Sequence, residues 1–332
     1  MFGPTLADAL GLAATNLLSI PVLAFALGLV AARIKGDLRL PQSAYETISI
    51  ILLLAIGLKG GVTLTQTPPG DLVLPVTGTL VLGVTIPVMA FAALRWLTPI
   101  GRLDRGVIAA HYGSTSLVTF TAALVLLESS AIPVEGFMTA LLTIMEIPGI
   151  VVGLLLASSP RQRGAGRPWL RGLVEVLTSR SVLLLVGGLA IGAVAGASSY
   201  ARVEPLFSGL FQGLLVLFLL HLGTVVGRGL ADIKRAGWGL VVFAIAFPLF
   251  AGLLGATLGA LLQLSIGGAT MLAVLAASAS YIAAPAAVRI ALPEANEALA
   301  LTASLAVTFP FNLAIGIPTY LAFAEFATQI LP

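Results

Sequence analysis

Two polar stretches interrupt a mostly apolar chain, and they are where its chemistry is concentrated. The first is His111-Tyr112-Gly113-Ser114-Thr115-Ser116-Leu117-Val118-Thr119, and the second is Ser278-Ala279-Ser280-Tyr281-Ile282-Ala283-Ala284-Pro285. Each sets hydroxyls and a helix breaker inside an apolar run. A helix broken at such a point frees backbone N–H groups at the start of its second half. With the positive end of the half-helix dipole, these donors form an anion site. Unwound carbonyls and hydroxyls can hold a hard cation such as Na+. One such stretch alone reads as close helix packing. Two in matching positions favour a site, with Gly113 to Thr119 and Ser278 to Ile282 as the candidate substrate-binding residues.

Few other polar groups fall inside apolar runs. Glu146, in Met145-Glu146-Ile147-Pro148, is an ionisable group at mid-span, and such a group is costly there unless it is used or paired. Asn312, after Pro310, is its candidate counterpart. Ser116, Ser278, Ser280, Glu146 and Asn312 make up the cation-coupling candidates. His111 and His221 read as packing or hydrogen-bonded residues, because no cluster of metal-site spacing accompanies them. Lys59 is expected to snorkel to one membrane surface, Glu128 to be solvated at a helix end, and Arg289 to anchor an interface. No Gly-x-x-x-x-Gly-Lys-Ser/Thr occurs, which argues against ATP-driven transport by this chain. With no cysteine there is no thiolate metal site, and no cofactor is expected beyond Na+ as coupling ion.

These stretches must be positioned by membrane helices. The chain has 332 residues, 58% of them hydrophobic and only 9% charged, where a soluble domain carries about 25%. So few charges cannot cover a surface in water, so the main solvent is the lipid bilayer. Ten spans are predicted, at 12–32, 43–64, 71–97, 105–127, 136–157, 180–197, 206–227, 237–262, 269–290 and 297–323. Asp8 and the long apolar run after it argue for a retained first helix over a cleaved signal peptide. The net charge of +3 is a matter of topology and implies no nucleic-acid partner.

Ten spans place the loops alternately on two sides. One side takes 15 basic residues: Arg33, Lys35, Arg39, Arg95, Arg102, Arg105, Arg161, Arg163, Arg167, Arg171, Arg180, Arg228, Lys234, Arg235 and Arg289. The other takes only 2, Lys59 and Arg202. The basic side is then cytoplasmic, and both termini are outside. Five spans per half is an odd number, so homologous halves must run in opposite orientations. Ser114-Thr115-Ser116 matches Ser278-Ala279-Ser280 at an offset of 164, and Leu54-Ala55-Ile56-Gly57 matches Leu220-His221-Leu222-Gly223 at 166. Thr139-Ala140 with Pro148 matches Thr302-Ala303 with Pro310 at 163 and 162. The expected organisation is a repeat over 1–157, a basic, partly helical linker over 158–179, and a second repeat over 180–332.

The chain resembles the sodium-dependent bicarbonate transporter family, best known from cyanobacteria, along nearly its whole length. The resemblance is carried by Ile56-Gly57-Leu58-Lys59-Gly60-Gly61, by Leu126-Leu127-Glu128 with Ile132-Pro133, and by Met145-Glu146-Ile147-Pro148. The strongest piece runs from Ala276-Ala277-Ser278-Ala279-Ser280-Tyr281-Ile282 through Pro285 and Arg289 to Leu292-Pro293. It implies an all-α integral membrane protein of ten helices in a 5+5 inverted repeat, with the fourth and ninth broken. It also implies a homotrimer, Na+ symport of bicarbonate by elevator-like motion, and a PII-like regulatory protein at the cytoplasmic face. Ser278 and Ser280 match hydroxyls of the family's ninth-helix break, and Ser116 and Thr119 match its fourth-helix stretch. Two positions depart from the family: Tyr281 stands where the cyanobacterial form has Asp, and Leu117 and Val118 replace small residues.

The expectation is therefore a non-enzymatic secondary transporter in a bacterial inner membrane, importing a small anion, bicarbonate foremost, in symport with Na+. Tyr281 keeps open an organic anion with different or no Na+ coupling. An intramembrane enzyme would need a convergent acid, base or metal set, for which only Glu146 and two separated histidines are available. A passive channel is the remaining alternative.

Overall fold

In the computed structural model, residues 17–158 and 168–331 are described, without the side chains of 168–172 and 229–236. Asp8, the start of the first predicted span and residues 159–167 of the linker lie outside the described residues. Among those described the chain is helical throughout, with no strand. The helices are α1 Ile20–Arg33, α2 Gln42–Leu64, α3 Pro69–Leu97, α4 Arg102–Gly113, α5 Leu117–Ser129, α6 Met138–Ala157, α7 Pro168–Leu177 and α8 Arg180–Tyr200. They continue as α9 Phe211–Ala236, α10 Trp238–Leu261, α11 Ile266–Ala277, α12 Ala283–Ala291 and α13 Glu297–Ile330.

Eight helices among the described residues are long and apolar enough to cross a membrane, counting α4 and α5 together as Arg102–Ser129; α1 and α11 are apolar but shorter. The predicted ninth span is broken inside the stretch expected to interrupt it. It divides into the 12-residue α11 and the 9-residue α12, because Ser278–Ile282 leave helical geometry. The predicted fourth span divides at 114–116, so Leu117, Val118 and Thr119 form the first turn of α5 and are not unwound. The helical part of the linker is α7.

Local sequence explains the other boundaries. Pro41 and Pro68 precede α2 and α3, where a missing N–H costs nothing, and Asp71 sits in the first turn of α3, where the dipole favours a carboxylate. Gly237, at φ 82°, joins α9 to α10 in a backbone conformation that favours glycine. Between α1 and α2, Asp37 accepts from Arg39 and pairs with Arg228 of α9, each at 3.0 Å. Those hydrogen bonds from Arg39, with the Arg228 charge, hold the Asp37 carboxyl well below the usual carboxylate range.

The helices pack as two groups. In the first, α2 lies along α8 and α1 lies along α9. Glycines set these approaches: a Cβ on Gly57 would lie 2.9 Å from Gly188 Cα, and one on Gly223 would lie 2.0 Å from the Phe25 carbonyl oxygen. In the second group α3, α4 and α6 pack together, α10, α11 and α13 pack together, and α3 meets α10 between them. Side chains such as Leu27, Val30, Leu183, Val186 and Val194 are exposed, as lipid-facing residues should be. Trp96 and Trp238 stand exposed at helix ends, where interfacial aromatics belong. In α13 the residues Thr302–Thr308 and Asn312–Gly316 are wound as π-helix.

Candidate functional site

The two helix breaks meet in the second group. The Ser116 amide donates to Ser278 Oγ at 2.9 Å. The Ser280 amide donates to the His111 carbonyl at 2.8 Å. Each break thus uses a backbone N–H, freed by leaving helical geometry, to hold the other. Residues more than 160 positions apart in sequence form one buried joint: Ser114, Thr115, Ser116, Thr119, Ser278, Ala279 and Ser280 are all at most 3% exposed.

The serines also restart the helices. Ser116 Oγ accepts from the Thr119 amide at 3.2 Å and from Thr119 Oγ1 at 3.0 Å, capping α5. Ser280 Oγ accepts from the Ala284 amide at 3.2 Å at the start of α12. Helix geometry leaves the first-turn amides of Leu117 and Val118 without intrahelical partners, and the same holds for Ala283. Two half-helix N-termini, and so two positive dipole ends, begin at the joint.

Tyr281 completes the contact, accepting a hydrogen bond from Ser116 Oγ at 3.3 Å. Its ring lies edge-on to Phe309 of α13, with centroids 5.4 Å apart. Leu117 and Tyr281 are half-buried and Ile282 is exposed, while Gly113 and Val118 are buried. A cavity of about 20 Å³ opens here, lined by Thr115, Ser116, Leu142, Glu146, Ser181 and Tyr281 among others. A space of that size holds about one water. Ser181 and Leu185, from α8 of the other helix group, form its far wall. Sequence reasoning missed both, along with Leu142. They sit in ordinary apolar helices, and only the packing of α8 and α6 against the breaks selects them.

A helix of the second group backs each break. Behind the first lies α6, where Thr115 Oγ1 donates to the Leu142 carbonyl at 3.4 Å. A Cβ on Gly149 would lie 1.8 Å from the Gly113 carbonyl oxygen, so the backbones touch. Behind the second lies α13, where Asn312 Nδ2 donates to the Ala277 carbonyl at 3.0 Å and Asn312 Oδ1 accepts from Tyr320 OH at 2.6 Å. Glu146 is only 5% exposed, and its Oε2 has no partner among the described residues; the same is true of Ser114 Oγ and both ring nitrogens of His111. Asn312 and Glu146 therefore back different breaks, and only Glu146 lines the small cavity.

A larger cavity of about 500 Å³ opens at the end of the molecule that carries Lys59, between α2 and α5 and bordered by Phe207 and Gln212. Lys59 does not simply snorkel, and Glu128 is not merely solvated: they pair across this mouth at 2.7 Å, each about half exposed. Such an exposed pair contributes about 0–1 kcal/mol. At the opposite end His221 Nδ1 accepts from the Leu40 amide at 3.0 Å, and Arg289 pairs with Glu297 at 2.7 Å.

A family model described as the Na+-dependent bicarbonate transporter superfamily matches residues 21–325. No curated protein matches the chain.

Proposed function

The chain belongs to the Na+-dependent bicarbonate transporter superfamily, and from that premise we propose that it is a secondary active transporter importing bicarbonate with Na+, with the cargo held at the joint of the two breaks. The family is one of transporters, so the chain is not an enzyme. The observation that carries the proposal is the pair of crossed hydrogen bonds, Ser116 amide to Ser278 and Ser280 amide to His111. They bring two half-helix N-termini to one buried place, where N–H donors and dipoles favour an anion.

In this reading ten crossing segments form a 5+5 inverted repeat. The packing pattern supports it: exchanging the halves turns the α2–α8 pair into the α9–α1 pair, and these are the two most extensive helix contacts. It also turns the α3–α4–α6 set into the α10–α11–α13 set. The basic end is cytoplasmic, the membrane is a bacterial inner membrane, and the termini lie outside. The group holding the breaks slides as an elevator against α1, α2, α8 and α9. Motion past Ser181 and Leu185 enlarges the cavity of about 20 Å³ and exposes the joint. The exposed apolar face of α8, whose spanning window is only 22% buried within the chain, suits a homotrimer contact or lipid. A PII-like regulator at the basic linker is proposed on the resemblance alone.

The test is uptake of radiolabelled bicarbonate into proteoliposomes with and without an inward Na+ gradient. Gradient-driven uptake is expected; folded protein with no uptake under any gradient would overturn the cargo. One observation favours a second reading, an organic anion: Tyr281, in place of the family carboxylate, presents a hydroxyl to Ser116. Competition by small carboxylates against labelled bicarbonate separates the two.

A further inference from the structure

The two breaks match in order, Ser114-Thr115-Ser116 against Ser278-Ala279-Ser280, yet their hydrogen bonding is unequal. Ser278 Oγ accepts from the Ser116 amide and donates to the Leu275 carbonyl at 3.1 Å. The Ala277 carbonyl, at the end of α11, is taken up by Asn312. At the first break the equivalent serine, Ser114, is fully buried and its Oγ has no partner among the described residues. Helix geometry also leaves the carbonyls of Tyr112 and Gly113, at the end of α4, without intrahelical partners.

Glu146 belongs to the same place. Leu142, Glu146 and Gly149 follow one another at spacings of four and three, so they share one face of α6. Leu142 touches Thr115 and Gly149 touches Gly113 and Ser114, so Glu146 lies against the break between them. A lone carboxylate so buried is costly unless it is neutralised. The same break carries the partnerless Ser114 hydroxyl, two helix-terminal carbonyls and the negative end of the α4 dipole, groups that favour a cation, beside the N-terminus of α5, which favours an anion. No Lys or Arg lines the cavity.

We propose that Glu146 and Ser114, with the terminal carbonyls of α4, form the Na+ site of this chain. Coupling is then built on the first break and α6, and not on the position occupied by Tyr281. The proposal rests on the transport reading above and assigns its coupling ion to named oxygens of hard-cation type.

The test reads Na+ binding without cargo. Purified protein in detergent is titrated with NaCl against choline chloride at constant ionic strength, in the absence of bicarbonate, and its thermal midpoint is followed; a ligand bound only by the folded state raises it. The wild type is expected to be stabilised by Na+. Glu146→Gln should move the titration midpoint at least tenfold upward, and Ser114→Ala should move it less. Absence of a Na+ response in the wild type, or a wild-type response in folded Glu146→Gln, overturns the site. Should that variant not fold, Glu146→Asp and Ser114→Ala decide: shifted midpoints support the site, unshifted ones overturn it. Stabilisation that follows pH and ignores Na+, and is lost in Glu146→Gln, overturns Na+ in favour of a proton. Failure of the transport reading looks different: Glu146-dependent Na+ stabilisation would persist in a protein that takes up no bicarbonate.

Discussion

Among the described residues, the buried side-chain polar atoms of the second break all have partners, while not all of those of the first do. Behind the second, Asn312 spends both side-chain groups on Ala277 and Tyr320, and Ser278 both donates and accepts. Behind the first, Ser114 Oγ and Glu146 Oε2 are buried without partners. The two breaks share one order of hydroxyls, yet one is fully bonded at its buried side chains and the other has bonding capacity to spare. Native interiors leave few buried polar atoms unpaired, so each unpaired one calls for an account, and a bound ion or water is one.

The largest expected effect tests the contact that closes the first break. In Gly149→Ala the new Cβ would meet the Gly113 carbonyl oxygen at 1.8 Å and its carbon at 2.1 Å, both backbone. Overpacking against backbone should cost about 3 kcal/mol or more, beyond the ~1 kcal/mol that Ala gains over Gly in a helix. At the second break Gly316→Ala meets side chains instead, Asn312 Oδ1 at 2.6 Å and Tyr320 OH at 3.0 Å. It should cost about 1 kcal/mol. Thermal midpoints in detergent measure both; a Gly149→Ala protein as stable as the wild type would mean that α6 does not touch the break.

Next is Asn312→Ala. It strands the Ala277 carbonyl and the Tyr320 hydroxyl in the interior, at about 1–3 kcal/mol for each group left unpaired. Glu146→Gln, in choline, should lie within about 1 kcal/mol of the wild type, since it removes a buried carboxyl whose Oε2 accepts nothing. Equal losses at the two positions would erase the contrast between the breaks.

Much of this contrast was legible in the residues. Hydroxyls and glycine inside apolar runs located both breaks, and the matching order of Ser114-Thr115-Ser116 and Ser278-Ala279-Ser280 paired them. Glu146 stood out because a carboxyl in an apolar span is rare. What periodicity could not show is which groups find partners. Asn312 and Glu146 looked like counterparts, yet one is bonded on both sides and the other is not, and this depends on side chains such as Tyr320 reaching back about two helix turns. The pairing of Lys59 with Glu128 was hidden for the same reason: the two residues are 69 apart in sequence, and only the packing of α2 beside α5 joins them. Hydropathy is continuous across the ninth span, so its break was legible in the hydroxyls of Ser278 and Ser280 and in Pro285 and not in the apolar pattern.

The capping serines give a smaller effect. Ser116→Ala removes an acceptor for the Thr119 amide and hydroxyl and a donor to Tyr281, while Ser280→Ala removes only the acceptor for Ala284. Each cap is worth about 1 kcal/mol, with Ser116 the larger of the two. Both variants should also weaken anion binding, measured as a raised half-saturation for uptake; wild-type affinity in both would move the cargo away from the joint.

The smallest effect is the sharpest comparison, because Ser114 and Ser278 hold matching places in the residue order of the two breaks. Ser278→Ala breaks bonds to the Ser116 amide and the Leu275 carbonyl, and should cost about 1–2 kcal/mol. Ser114→Ala breaks no hydrogen bond to the described residues, and in choline it should cost less than about 0.5 kcal/mol. The difference should narrow in Na+, because there the wild type gains binding free energy that Ser114→Ala partly forfeits. If the two variants are equally costly in choline, Ser114 has a partner in the cation-free protein and the first break is as saturated as the second. If Ser114→Ala is silent in both salts, its hydroxyl has spare capacity that Na+ does not use, and the asymmetry of the breaks is one of packing alone.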